Sequence, residues 1–473
     1  MRFVAHLIGM SLSLSQLTDA QKSNGTLDVV GDLESLLSEK ASVSTNITDA
    51  HRWSEYNNPS PGYIVNVAEE LDVAKTVRYC NENNMQFLAQ AGGNGWATTF
   101  HLTERDIIIN LRGLNSVVMH PSGDRITVGG GASNQEWGQV AYENGRQVLS
   151  GGCNCVGVTG LALGGGVSRW MNLYGMPVDN VISANVVTAS GDLVEASATS
   201  NSDLFWAILG AGPNFGIVTS LVTKAHPLID EGSAWAGELI FSGDKLEAVV
   251  EAMNNLNITE NMVVLWGFSY REEPVITAQI LYMPGDADAG REAFKPLYDI
   301  GPDQETVELT SYPHLNDDTD GLCEDGGRKP GWFTGLRTFD YPTFQTMYNE
   351  FSEFVINTGL DGTTILIECY SNYVLREIGS SGASYAHRDI NYYAWILFGY
   401  EYAAWDQEVE VFGSRVRDLW RASSGFDTQR TYINFAHGDE SLEEIYGESL
   451  PRLRELKQKW DPEHVFNQWF PIV

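Results

Sequence analysis

The sequence predicts an α+β fold with more than one domain, and three observations predict it. The chain has 473 residues and a hydrophobic content of 43%, which is too long for one small core and well suited to packing. Its first part alternates strand-like and helical patterns that run into glycine-rich loops, as β-α-β units do. Its middle part carries long strand-like runs separated by amphipathic helices, which is typical of an antiparallel sheet covered by helices.

The first β-α-β unit begins near Pro61. Residues 62–67 form an extended apolar run, and residues 69–84 place Leu71, Val73, Ala74, Val77 and Cys80 at helical spacing. A short strand at 86–90 leads directly into the loop 91–96, which reads AGGNGW. Strands at 107–111, 125–128 and 185–189 and a helix at 136–145 continue the pattern.

The pattern of predicted secondary structure is different from about Pro227 to Tyr400. Strands are predicted at 262–268, 275–282 and 364–370, and helices at 245–256 and 341–357. The polar, glycine-rich stretch 316–331 is predicted to be a surface loop. The tail from 450 to 466 is charged and amphipathic, and Trp460-Asp-Pro is expected to end its helix.

The net charge of the chain is −33, from 29 basic and 62 acidic side chains. Such a surface repels phosphate backbones and anionic lipid, so we expect neither nucleic-acid binding nor membrane binding. After the N-terminus no segment approaches the roughly 18–20 uncharged apolar residues of a membrane helix.

Residues 1–20 resemble a secretory signal peptide. Arg2 supplies the positive region, residues 3–17 are mostly apolar, and Thr18 and Ala20 are small residues at the expected cleavage positions. Sequons begin at Asn24, Asn46 and Asn257, which is compatible with a secreted glycoprotein. The sequence therefore predicts secretion.

Five cysteines, at positions 80, 153, 155, 323 and 369, are too few for a disulfide framework in a chain of this size. Cys153 and Cys155 could in principle ligate a metal. No second pair at zinc-like spacing accompanies them, so no metal site is predicted.

Two glycine-rich loops are candidates for holding a large ligand. Residues 90–95 and 157–166 could present successive backbone amides to an anion such as a pyrophosphate, although a pair of tight turns would look the same. The second loop opens a stretch of ordered motifs: Cys153–Gly160, Gly164–Gly166, Tyr174–Asn180, Val187–Gly191, Asp203–Ala207 and Asn214–Thr219.

These motifs resemble those of FAD-linked oxidases of the berberine-bridge-enzyme type, in the vanillyl-alcohol-oxidase superfamily. The match departs at Thr159, where the family usually has glycine, and at Leu209, where arginine is common. The resemblance implies a PCMH-type FAD-binding domain of two α/β subdomains at 21–228 and an inserted substrate domain, an antiparallel sheet flanked by helices, at 229–425. It further implies a C-terminal segment at 426–473 that returns to the FAD domain.

The resemblance also implies the cofactor contacts. FAD would lie against the two loops, the start of the NFGIVT element and one C-terminal amide: Gly92, Gly93, Asn94, Gly95, Cys153, Gly157, Gly160, Gly164, Gly166, Ile217, Val218 and Asn434. The histidine that bonds the flavin 8α carbon in relatives is replaced by Asn94, which cannot form that link. Cys153 aligns with the second attachment position, at flavin C6. A bond through Cys153 alone, tight non-covalent FAD and weakened binding therefore all stay open.

Two residues are candidates for the general base. Glu368 lies in the strand 364–370, where alternation places it on the face of Tyr370 and opposite Cys369. An exposed carboxylate or one paired with Arg388 is the alternative. Tyr432 resembles the proton-accepting tyrosine of carbohydrate-oxidising relatives, and Asn434 is expected to orient the flavin or that tyrosine; a plain buried tyrosine is the alternative. Several aromatic residues are candidates for a substrate wall, with plain core packing as the alternative: Trp332, Phe333, Tyr370, Tyr373, Tyr392, Tyr393 and Trp395.

The resemblance implies an FAD-dependent oxidase, and the signal-like N-terminus adds the expectation that it is secreted. We expect a monomer or a weak oligomer. Hydride would pass from a C–H that bears OH or NH to the flavin, with O₂ as the acceptor. The substrate would be a small molecule, either a specialised metabolite from secondary metabolism or a saccharide. The alternative is a flavin-binding cyclase with little or no net redox chemistry.

Overall fold

The computed structural model describes residues 27–473. The predicted signal peptide and the sequon at Asn24 lie outside this range. Its strands are, in chain order, β1 Ser42–Ser44, β2 Tyr63–Asn66, β3 Phe87–Gln90, β4 Ile107–Asn110, β5 Val117–Met119, β6 Arg125–Gly129, β7 Arg146–Gln147, β8 Val181–Val187, β9 Leu193–Ser197, β10 Ile217–Lys224, β11 His226–Pro227, β12 Ser233–Ser242, β13 Met262–Arg271, β14 Glu273–Tyr282, β15 Gln304–Glu305, β16 Glu308–Ser311, β17 Gly331–Leu336, β18 Thr364–Cys369 and β19 Tyr392–Leu397.

Fourteen α-helices accompany these strands within the described range. They are α1 Val29–Leu36, α2 Glu70–Asn83, α3 Asn134–Glu143, α4 Val158–Leu163, α5 Met171–Tyr174, α6 Ser202–Ala211, α7 Leu246–Asn255, α8 Ala287–Ala293, α9 Lys295–Tyr298, α10 Tyr341–Thr358, α11 Tyr373–Ile378, α12 Asp406–Ser423, α13 Leu442–Tyr446 and α14 Leu450–Trp460. The predicted mixture of helix and sheet is confirmed. No helix of residues 27–473 combines the length and the apolar character needed to cross a membrane.

Local sequence explains where the principal helices begin and end. Glu69 and Asp72 form a capping box at the start of α2, and Asn84 ends that helix with a positive φ of 51°. Asp340 caps α10 through its side chain, and Gly359 ends it at a φ of 71°. Helix α14 ends at Trp460, as the following Asp-Pro predicts.

Three principal sheets organise the chain. The first has the order β1–β2–β4–β3, with β2 and β3 parallel to β4. The second is antiparallel, in the order β5–β6–β10–β8–β9. The third has eight antiparallel strands in the order β15–β12–β14–β13–β18–β19–β17, with β16 beside β12. All strands of the third sheet fall between Ser233 and Leu397; the domain boundaries themselves stay predictions.

The third sheet has two different faces because strand side chains alternate. One face packs on helices α7, α10 and α12 and forms a core of its own. The other face packs against residues of the glycine-rich N-terminal part and of the C-terminal segment. This second face carries the candidate active site.

The C-terminal segment closes back on the N-terminal part. Lys457 Nζ donates to the Asn214 carbonyl at 2.8 Å, and Asn214 Nδ2 donates to the Tyr446 hydroxyl at 2.9 Å. The Thr99 hydroxyl donates to the Gln468 carbonyl at 2.8 Å. These contacts position the chain around Tyr432 beside the second glycine loop.

Candidate active site

The two glycine loops meet backbone to backbone. A Cβ on Gly92 would lie 2.7 Å from the Gly157 nitrogen, and one on Gly157 would lie 2.8 Å from the Gly92 nitrogen. Gly93 adopts a φ of +73°, which disfavours any side chain. Glycine is therefore required at these three positions by close approach and by conformation.

Polar groups without partners lie at this junction. Gln90 Oε1 and Asn94 Oδ1 are buried and have no hydrogen-bond partner among the described residues. Buried amides are normally satisfied. Gln90 Nε2 donates to the His51 carbonyl at 2.9 Å, which fixes Oε1 as an acceptor for a ligand, whereas the two ends of the Asn94 amide can exchange by a half turn and offer either a donor or an acceptor. The junction thus fits a large ligand with phosphate and hydroxyl groups, as FAD has.

A third glycine stretch, Gly129–Gly131, contributes to the same region and was not singled out from the sequence. A Cβ on Gly130 would lie 2.6 Å from the Val218 carbonyl, and one on Gly131 would lie 1.9 Å from the Leu111 carbonyl. The three consecutive glycines are the feature of the sequence that could have identified this stretch as part of the site. The departure at Thr159 has a local reason, since its hydroxyl donates to the Gly130 carbonyl at 2.7 Å.

Cys153 and Cys155 have different environments. Cys155 is bonded to Cys323 across 168 residues, which the cysteine count did not predict and which removes it from any metal pair. Cys153 is a free thiol. Burial raises the pKa of the Cys153 thiol, although the Thr319 hydroxyl and the Arg169 charge act in the opposite direction. No group of His, Cys, Asp or Glu side chains within residues 27–473 is arranged to hold a metal ion.

Asn94 lies beside Cys155. Its Nδ2 is 3.7 Å from Cys155 Sγ. An amide nitrogen is not a nucleophile, so Cys153 is the one nucleophilic side chain among the predicted cofactor residues.

The glycine triplet 164–166 brings the loop onto the catalytic candidates. A Cβ on Gly164 would lie 2.0 Å from Asn434 Oδ1, and one on Gly165 would lie 2.7 Å from the ring of Tyr385. Gly166 faces Pro177 in the same way. Gly160, by contrast, is exposed on α4 with open space around it.

Ile217 and Val218 point into two different cores at the start of β10. Both side chains are buried, so only their backbone is placed to reach a cofactor.

Leu209, where the family commonly has arginine, lies at a break in α6 that Gly210 completes with a φ of +138°. The Leu209 carbonyl there accepts from the Tyr385 amide at 3.0 Å.

Glu368 is buried, with 7% of its surface exposed, so it is not an exposed strand carboxylate. The Tyr370 hydroxyl donates to Oε2 at 2.6 Å and Trp395 Nε1 donates to Oε1 at 2.9 Å. Burial raises the pKa of Glu368, and these two hydrogen bonds and the Arg169 charge only partly oppose it. The alternative pairing with Arg388 is wrong, since Arg388 forms a two-pronged pair with Asp179 at 2.6 and 2.8 Å.

Tyr432 is fully buried near Glu368. Asn434 Nδ2 donates to the Tyr432 hydroxyl at 2.9 Å and to the Leu161 carbonyl at 3.0 Å, and the carbonyl fixes which end of the amide is the donor. Because the Tyr432 oxygen already accepts, its own proton is free for a ligand. Burial raises the pKa of Tyr432, so the phenol is protonated at neutral pH.

The predicted aromatic wall is only half right. Phe333, Tyr370, Tyr393 and Trp395 face the site. Trp332 and Tyr392 alternate to the opposite face and pack in the helix-covered core, and Tyr373 is 67% exposed on α11. The prediction treated all strand aromatics as one set, whereas a side-chain period of two divides them.

Two more tyrosines complete the cluster. Tyr393 is the cross-strand partner of Glu368, and its ring centroid is 5.8 Å from that of Tyr432. The ring of Tyr385 lies 6.2 Å from that of Tyr432. The hydroxyls of Tyr385 and Tyr393 are buried without a partner among the described residues, which makes them candidate contacts for a substrate. Tyr385 and Arg169 carried no recognisable signal in the sequence.

Comparisons with known proteins agree with this site. The family described as FAD binding domain matches residues 61–197, and the family described as berberine and berberine like matches residues 431–471. The FAD-linked oxidoreductase fogF of Aspergillus ruber is 32% identical over 439 residues, which cover 88% of this chain and 86% of that protein.

Two solved carbohydrate oxidases share the fold. The xylooligosaccharide oxidase of Myceliophthora thermophila, in complex with xylobiose, superposes with a TM-score of 0.79 at 23% identity, over 91% of this chain and 96% of that one. The glucooligosaccharide oxidase of Acremonium strictum, with its 6-S-cysteinyl, 8α-N1-histidyl FAD, gives 0.77 at 18% identity, over 90% and 94%.

The site therefore belongs to a flavoprotein oxidoreductase with a berberine-bridge-type fold. The chain is a member of the FAD-linked oxidoreductase family. FAD is its cofactor, and the glycine loops and the Tyr432 segment both lie within the matched regions.

Proposed function

We propose that this protein is an FAD-dependent oxidase that removes a hydride from a carbon bearing OH or NH in a small molecule. Bound FAD would supply the chemistry by accepting the hydride at N5 and passing the electrons to O₂. The observation that carries the proposal is Glu368, a buried carboxylate with a raised pKa among tyrosine hydroxyls where the glycine loop meets the sheet.

Glu368 takes the proton of the substrate hydroxyl or amine. A carboxylate is a better base when its pKa is raised towards the working pH, and burial does this here. Tyr370 and Trp395 each occupy one of its oxygens and hold the group in place. The raised pKa of Tyr432 keeps its phenol protonated at neutral pH, so this residue is the less suitable of the two candidate bases.

Tyr432 instead donates a hydrogen bond to the substrate. Asn434 donates to its oxygen, which leaves the phenolic proton directed to a ligand. Asn434 is itself fixed by the Leu161 carbonyl and by the close backbone of Gly164. Asn434 is thus a positioning residue for Tyr432.

The glycine loops would hold the phosphates and the flavin of FAD, and Cys153 would be its single covalent attachment through Sγ. Precipitation with acid tests the attachment: a yellow pellet supports it, and a colourless pellet with free FAD in the supernatant contradicts it. A Cys153→Ser variant that still gives a yellow pellet would also contradict it.

The substrate is either a saccharide or a specialised metabolite. The two carbohydrate oxidases with this fold support the first class, and the fungal oxidoreductase relatives leave the second open. Tyr385 and Tyr393 offer unpartnered hydroxyls that would bind the hydroxyl groups common to both classes.

A cyclase with little net redox chemistry is the second candidate. Asn94 supports it, because the loss of one covalent link predicts a weaker flavin oxidant. Glu368 would then act as a base without hydride transfer.

Anaerobic mixing of the holoprotein with oligosaccharides and with aromatic or aliphatic alcohols and amines separates the two. An oxidase must lose the visible absorbance of oxidised flavin and release peroxide when air is admitted. A cyclase converts its substrate while the flavin spectrum is unchanged.

We further propose that the protein is secreted and glycosylated. Asn46 and Asn257 are exposed in the structure, so both sequons are accessible. Expression in a eukaryotic host with glycosidase digestion and N-terminal sequencing tests this. A mature chain that starts at Met1 and does not shift on digestion would contradict it.

A further inference from the structure

Residues 315–324, which we call the strap, cross the start of the second glycine loop. Asn316 Nδ2 donates to the Gly151 carbonyl at 3.0 Å, and the Thr319 hydroxyl donates to the Gly152 carbonyl at 2.9 Å. Asn154 Nδ2 donates to Asp320 at 2.8 Å. The strap therefore contacts the loop on both sides of Cys153.

The strap has almost no apolar anchorage. Its 3-10 segment Asp317–Cys323 contains no buried residue, and Leu322 is 46% exposed. The strap carries four carboxylates, Asp317, Asp318, Asp320 and Glu324, and no basic side chain. Segments held by exposed hydrogen bonds and self-repelling charges open at low free-energy cost.

Besides the hydrogen bonds to the loop, several contacts oppose this opening, among them the one from Trp53 Nε1, which donates to the Leu322 carbonyl. Arg169 Nη2 donates to the Leu315 carbonyl at 3.0 Å and to Asn316 Oδ1 at 3.2 Å at one end. The Cys155–Cys323 disulfide lies at the other end, and the Cys155 amide also points at Cys323 Sγ. The disulfide is the only covalent connection between the strap and the loop within the described chain.

We propose that the Cys155–Cys323 disulfide is a redox latch that holds the strap shut over Cys153. In the oxidised protein the strap covers this edge of the site and keeps the Cys153 sulfur partly buried. In the reduced protein the strap swings away and the loop of Cys153 is open to solvent. This device does not depend on which substrate the enzyme oxidises.

Opening the latch is a two-electron reduction. A water-soluble phosphine supplies the electrons and becomes the phosphine oxide, with oxygen from water, while Cys155 and Cys323 each gain one proton. A dithiol reductant does the same and closes to its own cyclic disulfide.

Thermolysin cleavage followed by mass spectrometry tests the latch, because the protease cuts before the exposed Leu322 and the strap lacks trypsin sites. The holoprotein, the phosphine-reduced holoprotein and the Cys155→Ser/Cys323→Ser variant are compared. We expect cleavage within 312–325 to be about tenfold faster or more in the last two. Hydrogen exchange of the peptide 151–157 should rise with it.

Cys369→Ser is the matched control, since it removes a buried thiol outside the latch, and its strap should be cut at the wild-type rate. Phosphine treatment of wild type keeps the test valid if the double variant does not fold. An unchanged cleavage rate in the strap would overturn the proposal. So would cleavage that rises equally in β13 and β14, because the disulfide would then stabilise the whole domain.

Discussion

On strand β18, Glu368 and Cys369 are neighbours, yet they face different surroundings. Glu368 lies on the face shared with Tyr370, Tyr393 and Tyr432, where an acid and phenols meet the glycine loop. Cys369 lies on the opposite face, in a core of aliphatic and aromatic side chains under α7, α10 and α12. The proposed function assigns proton transfer to the first face, whereas the second face contributes to stability. Substitutions on the two faces should therefore separate activity from stability.

The largest expected effect is on activity at Glu368. Glu368→Gln should lower kcat by about 10²–10⁴, because the proton acceptor is lost while the shape is kept. The rate of anaerobic flavin bleaching measures this, once a substrate is found. Cys369→Ser, one residue away on the other face, should bleach at nearly the wild-type rate. A Glu368→Gln enzyme as fast as wild type would remove Glu368 from the mechanism.

The next effect is on stability at the opposite face. Trp332 is fully buried, stacks on His437 at 4.2 Å, and has Gly413 closely against its ring. Trp332→Ala should cost about 3–5 kcal/mol in the free energy of unfolding, measured by urea titration. Tyr373→Ala, at an exposed member of the same predicted aromatic set, should change it by less than about 0.5 kcal/mol. Equal losses would mean that buried Trp332 contributes no more to stability than an exposed aromatic side chain does.

Tyr432 should contribute less than Glu368. Tyr432→Phe removes the hydrogen bond to the substrate and should lower kcat/KM by about 10–100-fold. The matched control is Tyr446→Phe, another buried tyrosine whose pKa burial raises but whose hydroxyl donates to the Phe470 carbonyl away from the site. A larger loss at Tyr446 than at Tyr432 would show that general destabilisation explains both.

Tyr393 and Tyr392 compare the same two faces of the sheet on β19, with a smaller expected effect. Tyr393→Phe deletes an unpartnered buried hydroxyl, so stability should be unchanged or slightly improved while KM rises by about 3–10-fold. Tyr392→Phe, which stacks on Phe339 at 4.1 Å on the other face, should leave KM unchanged. If KM rises in Tyr392→Phe and not in Tyr393→Phe, the substrate does not bind at the face that carries Tyr393.

The pH dependence of stability should show the burial of Glu368. Since its pKa is raised in the folded protein, the unfolded chain loses this proton at lower pH than the folded one. Stability from this group is therefore fully present below the ordinary glutamate pKa and is lost as pH rises through the raised pKa. The midpoint temperature of thermal unfolding of Glu368→Gln should equal that of wild type near pH 4 and should be higher than that of wild type at pH 8. A constant difference across this range would contradict the raised pKa.

Much of the fold could be predicted from local sequence. The strands at β2, β13, β14 and β18 and the helices α2, α7 and α10 follow from periodicities of two and 3.6, and α2 ends at Asn83 and α10 at Thr358, each one residue from its predicted end. The same alternation correctly placed Glu368 beside Tyr370. It was not applied to Trp332 and Tyr392, although their positions on β17 and β19 already place them one residue out of phase with Phe333 and Tyr393.

The sequence by itself indicated the cofactor, through short motifs that resemble those of a known family, and it placed asparagine at position 94 and cysteine at position 153, because these are properties of single positions and short loops. Only the tertiary structure decided which candidates work together. The Cys155–Cys323 bond, the junction of Gly92 with Gly157, and the approach of Tyr385 to Gly165 join residues far apart in the chain. Burial, which raises the pKa of Glu368 and leaves the hydroxyls of Tyr385 and Tyr393 unpartnered, exists only once these segments have packed against one another.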